Sequence, residues 1–187
     1  MRVPTLLHCI HYPPSHPDAI HPGLLNAIFL AACHIVGGKA TAFESIFLAR
    51  AREYIAHSLS HADRLLHFMW ANIILSLYFG RRSQFRAALS IGDTTMTFAI
   101  ACGLHLPIPS SYLLPYNPRD PFDAEERWNL WGAICLMHIT ARTLSDEGNY
   151  FPAEVSLSDF SKTVTLTLCA IRRLRRPGGD SSVVLGK

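Results

Sequence analysis

The sequence predicts an all-α fold: antiparallel helical pairs forming an α-helical bundle or array of about five main helices. Three observations carry this. Apolar residues recur at steps of three and four in segment after segment, the mark of a helix with one buried face. The clearest case is Leu65, Met69, Ile73 and Leu77 in one i+4 row with Leu66, Trp70, Ile74 and Tyr78 in the next. Glycine and proline punctuate the segments at short intervals, and short connections make consecutive helices neighbours.

Taken in order, residues 1–20 hold Pro4, Pro13, Pro14 and Pro17 among scattered histidines and read as an irregular lead-in. Pro22 suits a first helical position, where its missing N–H is not needed. Leu24, Leu25, Ile28, Phe29, Ala32 and Ile35 then supply the period, and Gly37-Gly38 stops it. A second helix is expected from about Thr41, with Phe43, Phe47, Ala51, Tyr54, Ile55 and Leu59 inward and Glu44, Arg50, Arg52 and Glu53 mostly facing solvent. The third carries the double row and breaks at Gly80-Arg81-Arg82-Ser83. A fourth is expected from about Gln84 to Cys102, packing through Phe85, Leu89, Met96, Ala99 and Ile100, with Gly103 as its stop.

Five prolines between Pro107 and Pro121 mark a long loop. The fifth helix opens behind it, with Asp120 as cap and Pro121 at the first position. Asp123, Glu125 and Glu126 favour its positive end, and apolar residues from Trp128 to Ile139 run nearly all round, so it is expected to be central. Trp128 and Trp131, three residues apart, share a face with Cys135 and read as core. Beyond Phe160 the pattern changes to the strand-like alternation Thr163–Leu168, then Arg172–Arg176 and a Gly/Ser ending. The organisation is therefore lead-in 1–20, helical domain 21–160 and poorly ordered basic tail 161–187.

Composition bounds the function classes. The chain has 187 residues, 49% apolar and 17% charged, which disfavours disorder and fits one domain. Apolar stretches without a formal charge, such as Leu65 to Gly80, fall short of the roughly 20 apolar residues that span a bilayer, and no cleavable signal is visible. The net charge is +3, and Arg172, Arg173, Arg175 and Arg176 alone supply four positive charges. The remainder is too near neutrality to argue for nucleic acid. Cys9, Cys33, Cys102, Cys135 and Cys169 are odd in number and mostly in apolar surroundings, and read as reduced thiols of an intracellular protein.

Catalytic constellations are sparse. His57 and His61 at i,i+4 can share a metal from one helical turn, but no third ligand stands at a suggestive offset. His8 and His11 are weaker, in the Pro-rich lead-in. Gly37-Gly38-Lys39-Ala40-Thr41 ends like a phosphate loop but lacks its first glycine and preceding strand. There is no GxSxG. The expectation is no enzyme, with no catalytic, cofactor-binding or metal-ligating residue assigned; a helical metalloenzyme built on histidines is the weakest alternative.

His21 to His34 (HPGLLNAIFLAACH), Asp63-Arg64-Leu65-Leu66 leading to Ala101-Cys102-Gly103-Leu104-His105, and Glu126-Arg127-Trp128-Asn129-Leu130-Trp131 together resemble the fungal-specific transcription factor domain over roughly 20–160. This is the regulatory middle region of fungal zinc-cluster transcription factors. Where that family carries an acidic-basic pair in the fifth helix, this chain has His138-Ile139. The resemblance implies an all-α regulatory region, a nuclear location and regulation of transcription by RNA polymerase II. It implies no cofactor in this chain, because zinc and DNA binding belong to an N-terminal six-cysteine cluster that these cysteines do not form.

Two expectations complete the reading. The match fades after about Phe160, so the chain looks like a fragment of the family's longer region. On that basis Met69, Ile73, Trp131 and Met137 are expected to lie partly open, and a protein partner or self-association through exposed helical faces is expected to cover them, with no membrane involved. A helical interaction scaffold unrelated to transcription is the main alternative.

Overall fold

The computed structural model describes residues 9–13, 16, 18–106 and 121–145, with the side chains of 125–142 in the last helix. The five expected helices are present: α1 (Pro22–Val36), α2 (Glu44–His61), α3 (Leu65–Arg81), α4 (Phe85–Ala101) and α5 (Pro121–Ser145). No strand occurs among the described residues. The alternating stretch Thr163–Leu168, the Arg172–Arg176 cluster, Cys169, His8 and the cap assigned to Asp120 lie outside the described residues.

The stops are local and physical. Gly37 and Gly38 both take positive φ and end α1. They lead into a 3-10 stretch, Gly38–Phe43, so α2 begins at Glu44, three residues later than Thr41. Thr41 contributes a hydroxyl bond to the Gly38 carbonyl at 2.8 Å, which holds that tight turn closed. At the end of α4 the Leu104 N–H reaches the Ala99 carbonyl and the Gly103 N–H the Ile100 carbonyl, with Gly103 left-handed. That is the double-bonded helix stop for which glycine is favoured. Leu104 and Ala99 are both buried, so the stop is also packed.

Three-residue connections join α2 to α3 and α3 to α4, and the helices fold back on one another. α1 pairs with α2, α3 with α4, and α5 lies on α3 and α4; α3 alone touches all four other helices. The central helix is therefore α3, not the fifth as the sequence suggested. Much of the circumference of α3 is buried, Met69 and Ile73 on one side and Ala71, Leu75 and Phe79 on the other, while Ile74, Leu77 and Arg81 lie on a more open face. α5 buries Leu130, Trp131, Ile134, Cys135, Met137, His138 and Ala141 but leaves Leu136 67% exposed.

Two cores result, sharing α3 as a wall. One joins α1, α2 and α3 through Leu24, Ala27, Leu30, Ala51, Ala71, Leu75, Tyr78 and Phe79. The other joins α3, α4 and α5 through Met69, Ile73, Met96, Leu130, Trp131, Ile134 and Met137. Trp128 packs against this second core, as its spacing from Trp131 predicts.

Several side chains face the other way from the sequence expectation. Met69, Ile73, Trp131 and Met137, expected to be partly open, are buried. They close on α4 and α5, so no additional helices are needed to cover them. Phe29, Ile35, Phe43, Tyr54, Leu59 and Leu77, expected inward, are exposed. Leu24 and Ala51 are buried as expected, and the rest of the lining is Ala27 and Leu30 on α1 and Glu44 and Ser58 on α2. Glu44, expected in solvent, is buried.

Candidate functional site

Among the described residues, two concave regions flank Leu77 and Arg81, where α3 passes between α1 and α5. On one side a cleft of about 370 Å³ is lined by Ala31, His34, Ile35, Ile74, Leu77, Tyr78 and Arg81. On the other a cleft of about 210 Å³ runs between α3, α4 and α5, bordered by Leu77, Arg81, Phe85, Met137 and Thr140. Leu77, half exposed, is the ridge between them, and Ile35 at 70% exposure walls the first cleft. Both clefts are mainly apolar, and Arg81 stands at the rim of each.

Two residues that line the first cleft, His34 and Tyr78, are tied to a buried carboxylate. Glu44, the first residue of α2, accepts hydrogen bonds from the Tyr78 hydroxyl at 2.9 Å and from Arg82 Nη1 at 2.8 Å. His34 Nδ1 lies 3.4 Å from its other oxygen. Arg82 also donates to the Tyr78 oxygen at 3.0 Å and stacks over its ring. Burial works to raise the Glu44 carboxyl pKa, but the bonds from Tyr78 and His34 and the charges of His34 and Arg82 outweigh it and hold it below the ordinary value. Tyr78 is pushed up, by burial first and then by Glu44. One carboxylate thus ties α1, α2 and the end of α3 together, and its donors fix the Tyr78 ring that forms the cleft wall.

This cluster was not legible in the sequence. Glu44 sits among residues that look like a solvent face, and its partners are 10, 34 and 38 positions away. A second polar cluster was missed for the same reason. His138 Nδ1 lies 3.2 Å from Asp93, and Arg142 donates to both Asp93 oxygens at 3.1 Å and to His138 Nε2 at 3.1 Å. His138 with Arg142 therefore furnishes an electrostatic tie across to α4.

The residues weighed for chemistry are scattered. His57 and His61 stack at 4.1 Å between ring centroids on the exposed face of α2, and His61 is engaged with Ser60 and the His57 carbonyl. No group of three or more His, Cys, Asp or Glu placed to hold a metal occurs among the described residues. Gly37-Gly38-Lys39-Ala40-Thr41 is a helix stop and 3-10 turn with no strand before it. Cys102 and Cys135 are buried thiols, and burial pushes Cys135 up to about 12, far from the reactive thiolate. Burial raises Cys102 as well. No helix among the described residues is long and apolar enough to cross a membrane.

Comparison with family models, with characterised proteins and with solved structures finds no match to this chain.

Proposed function

We propose that this chain is a regulatory, protein-interacting region of a fungal transcription factor, acting in the nucleus on transcription by RNA polymerase II, with no catalytic step of its own. The observation that carries the interaction part is the face around Leu77. It presents exposed Leu77 between two apolar clefts, with exposed Ile35 in the wall of the first, and exposed apolar patches of this kind are commonly contact sites. Arg81, exposed and without a salt-bridge partner among the described residues, selects a partner that brings a carboxylate together with bulky apolar side chains. A second copy of the chain fits less well, since the lining of the two clefts contains no acidic residue to meet Arg81.

The transcriptional part rests on the resemblance, and the three strings that carry it occupy structural positions of weight. HPGLLNAIFLAACH supplies the cap and nearly all of α1, ACGLH supplies the packed stop of α4, and ERWNLW supplies the core turn of α5.

The test is a reporter assay in a fungal cell with the chain fused to a heterologous DNA-binding domain. The fusion is expected to change reporter transcription, and Leu77→Asp with Arg81→Glu to abolish that change while the helical circular dichroism is preserved. Reporter output equal to that of the DNA-binding domain alone overturns the regulatory reading. Output unaffected by the two substitutions overturns the assignment of this face.

A further inference from the structure

The polar groups around the start of α1 do more than cap a helix. His21 precedes Pro22, and its Nδ1 accepts the Gly23 N–H at 3.1 Å. The backbone N–H of His21 is itself accepted by Nδ1 of His67, 46 residues away on α3, at 3.3 Å. Two imidazoles in series therefore take up backbone donors at the mouth of this helix. Both must use the Nδ1 lone pair, so both must be neutral with the hydrogen on Nε2. The His21 Nε2–H then faces Asp63 Oδ2, 3.6 Å away.

Protonation of either ring places a hydrogen on Nδ1, opposite an N–H that has no other acceptor in this arrangement. The bond is replaced by a repulsion, next to the positive end of α1. We infer that His21 and His67 form an acid-released latch that holds the start of α1, and residues 19–23 with it, on the α2–α3 corner.

The charges around the latch oppose imidazolium on nearly every side. Arg64 stands at the corner, donates to the Ala19 carbonyl at 3.0 Å and holds Asp63 through Nε and Nη2. For His67, burial is the main force against the charged form, joined by Arg64 and by His21, and the pKa falls to about 4. For His21, burial again leads, joined by Arg64 and by His57 from α2. Asp63 alone favours the cation, and it is already engaged by Arg64. Gly23 completes the seat: a Cβ there would stand 3.1 Å from His21 Nδ1 and 3.2 Å from the Ile55 backbone nitrogen, so the ring lies against bare backbone.

An open state whose His67 titrates at the ordinary 6.5 gains protons that the closed state refuses down to about 4. At pH 5 this linkage favours opening by more than about tenfold relative to pH 7.

The test is amide hydrogen exchange on the full chain at pH 7 and pH 5, corrected for intrinsic exchange. Protection of residues 19–25 is expected to fall by at least about tenfold at the lower pH while α4 keeps its protection. In the double variant His21→Asn, His67→Asn each amide oxygen replaces an Nδ1 acceptor without titrating, and protection of 19–25 is expected to persist at pH 5. Unchanged wild-type protection, an equal fall in the double variant, or an equal fall across all helices overturns the latch. Should the double variant not fold, imidazole nitrogen NMR of the wild type decides: both rings are expected as the Nε2–H tautomer at pH 7, and an Nδ1–H tautomer at either overturns it.

Discussion

The two cores on either side of α3 are built by different means. The α1–α2–α3 core brings backbones together over small residues: Ala27, Ala51 and Ala71 are buried within it, and Gly23 lets α1 approach Ile55 of α2 at van der Waals limits. The α3–α4–α5 core is filled by large, adaptable side chains, Trp131 with Met69, Met96 and Met137. Close backbone approach fixes geometry and tolerates no added atom. Side-chain filling tolerates small changes but depends heavily on its largest members.

The largest expected effect separates the two by volume. Trp131 is essentially fully buried between α3 and α4, and Trp131→Ala should cost about 3–5 kcal/mol in urea unfolding, the range for a buried Trp. The first core also holds large buried side chains, Leu30, Tyr78 and Phe79, but none has the volume of Trp131. A Trp131→Ala midpoint equal to wild type would mean that the second core does not depend on its aromatic filler.

Acid should act on the first core. His67 is neutral and its folded pKa, about 4, lies below the unfolded value of 6.5. For a base lowered on folding, the unfolded chain binds more protons between the two values. Stability from this group is therefore full above about pH 6.5, declines as pH falls, and reaches its limit near pH 4 at a loss of about 3 kcal/mol. His67→Asn should flatten the stability profile across that window. A profile of the same slope in the variant would assign acid sensitivity elsewhere.

A pair of Gly→Ala substitutions should sharpen the contrast by opposite signs. Alanine in a helix interior is ordinarily better than glycine by about 1 kcal/mol. At Gly92 on α4 the nearest atom to a new Cβ is the end of Met137 at 3.7 Å, an ordinary contact with a flexible side chain. Gly92→Ala should stabilise by about 0.5–1 kcal/mol. At Gly23 the Cβ would meet Ile55 backbone at 3.2 Å, and backbone cannot yield without moving a helix. Gly23→Ala should destabilise by about 1–2 kcal/mol, crowding outweighing propensity. Stabilisation at both sites would show that α1 and α2 are free to separate.

The same contrast explains what could be read from the sequence. Helix number, the starts at Pro22 and Pro121 and the stops at Gly37 and Gly103 follow from local chemistry and were legible. The second core was largely legible too, since large apolar residues both make the period and fill the space. The first core was legible only in part. A period drawn through Phe29, Ile35, Tyr54 and Leu59 points at residues that face outward; of that period Leu24 and Ala51 are buried, and the contact is completed by Ala27 and Ser58, which small size and not hydrophobicity selects. Around the candidate site Leu77 was taken for core, and Glu44 for surface, because its compensation comes from Tyr78, Arg82 and His34, which only the folded chain brings together. Centrality misled for a similar reason: α3 mixes Ala71, Asn72 and Ser76 into its buried surface, and small or polar residues hide a helix that packs against four others.

The smallest expected effects lie at helix ends. α4 stops on Gly103, but α2 and α3 use the same pair of hydrogen bonds with Ala62 and Ser83 in the left-handed conformation, at φ 50 and 58. The Asp63 N–H reaches the Ser58 carbonyl at 2.9 Å and the Gln84 N–H the Phe79 carbonyl at 2.9 Å. A Cβ in that conformation costs roughly 1–2 kcal/mol, part of which glycine gives back through its freer unfolded chain. Ala62→Gly and Ser83→Gly should therefore each stabilise by about 0.5 kcal/mol, a degree or two to a few degrees in thermal midpoint for a chain of this size. Arg64, also left-handed at φ 46, is the control. Its guanidinium holds Asp63 and the Ala19 carbonyl, so Arg64→Gly trades relief of the backbone for loss of those bonds and should destabilise. If Arg64→Gly stabilised as Ala62→Gly does, the corner beside His21 and His67 would be held by backbone geometry alone, and the close approach of α1 to α2 would owe nothing to its polar ties.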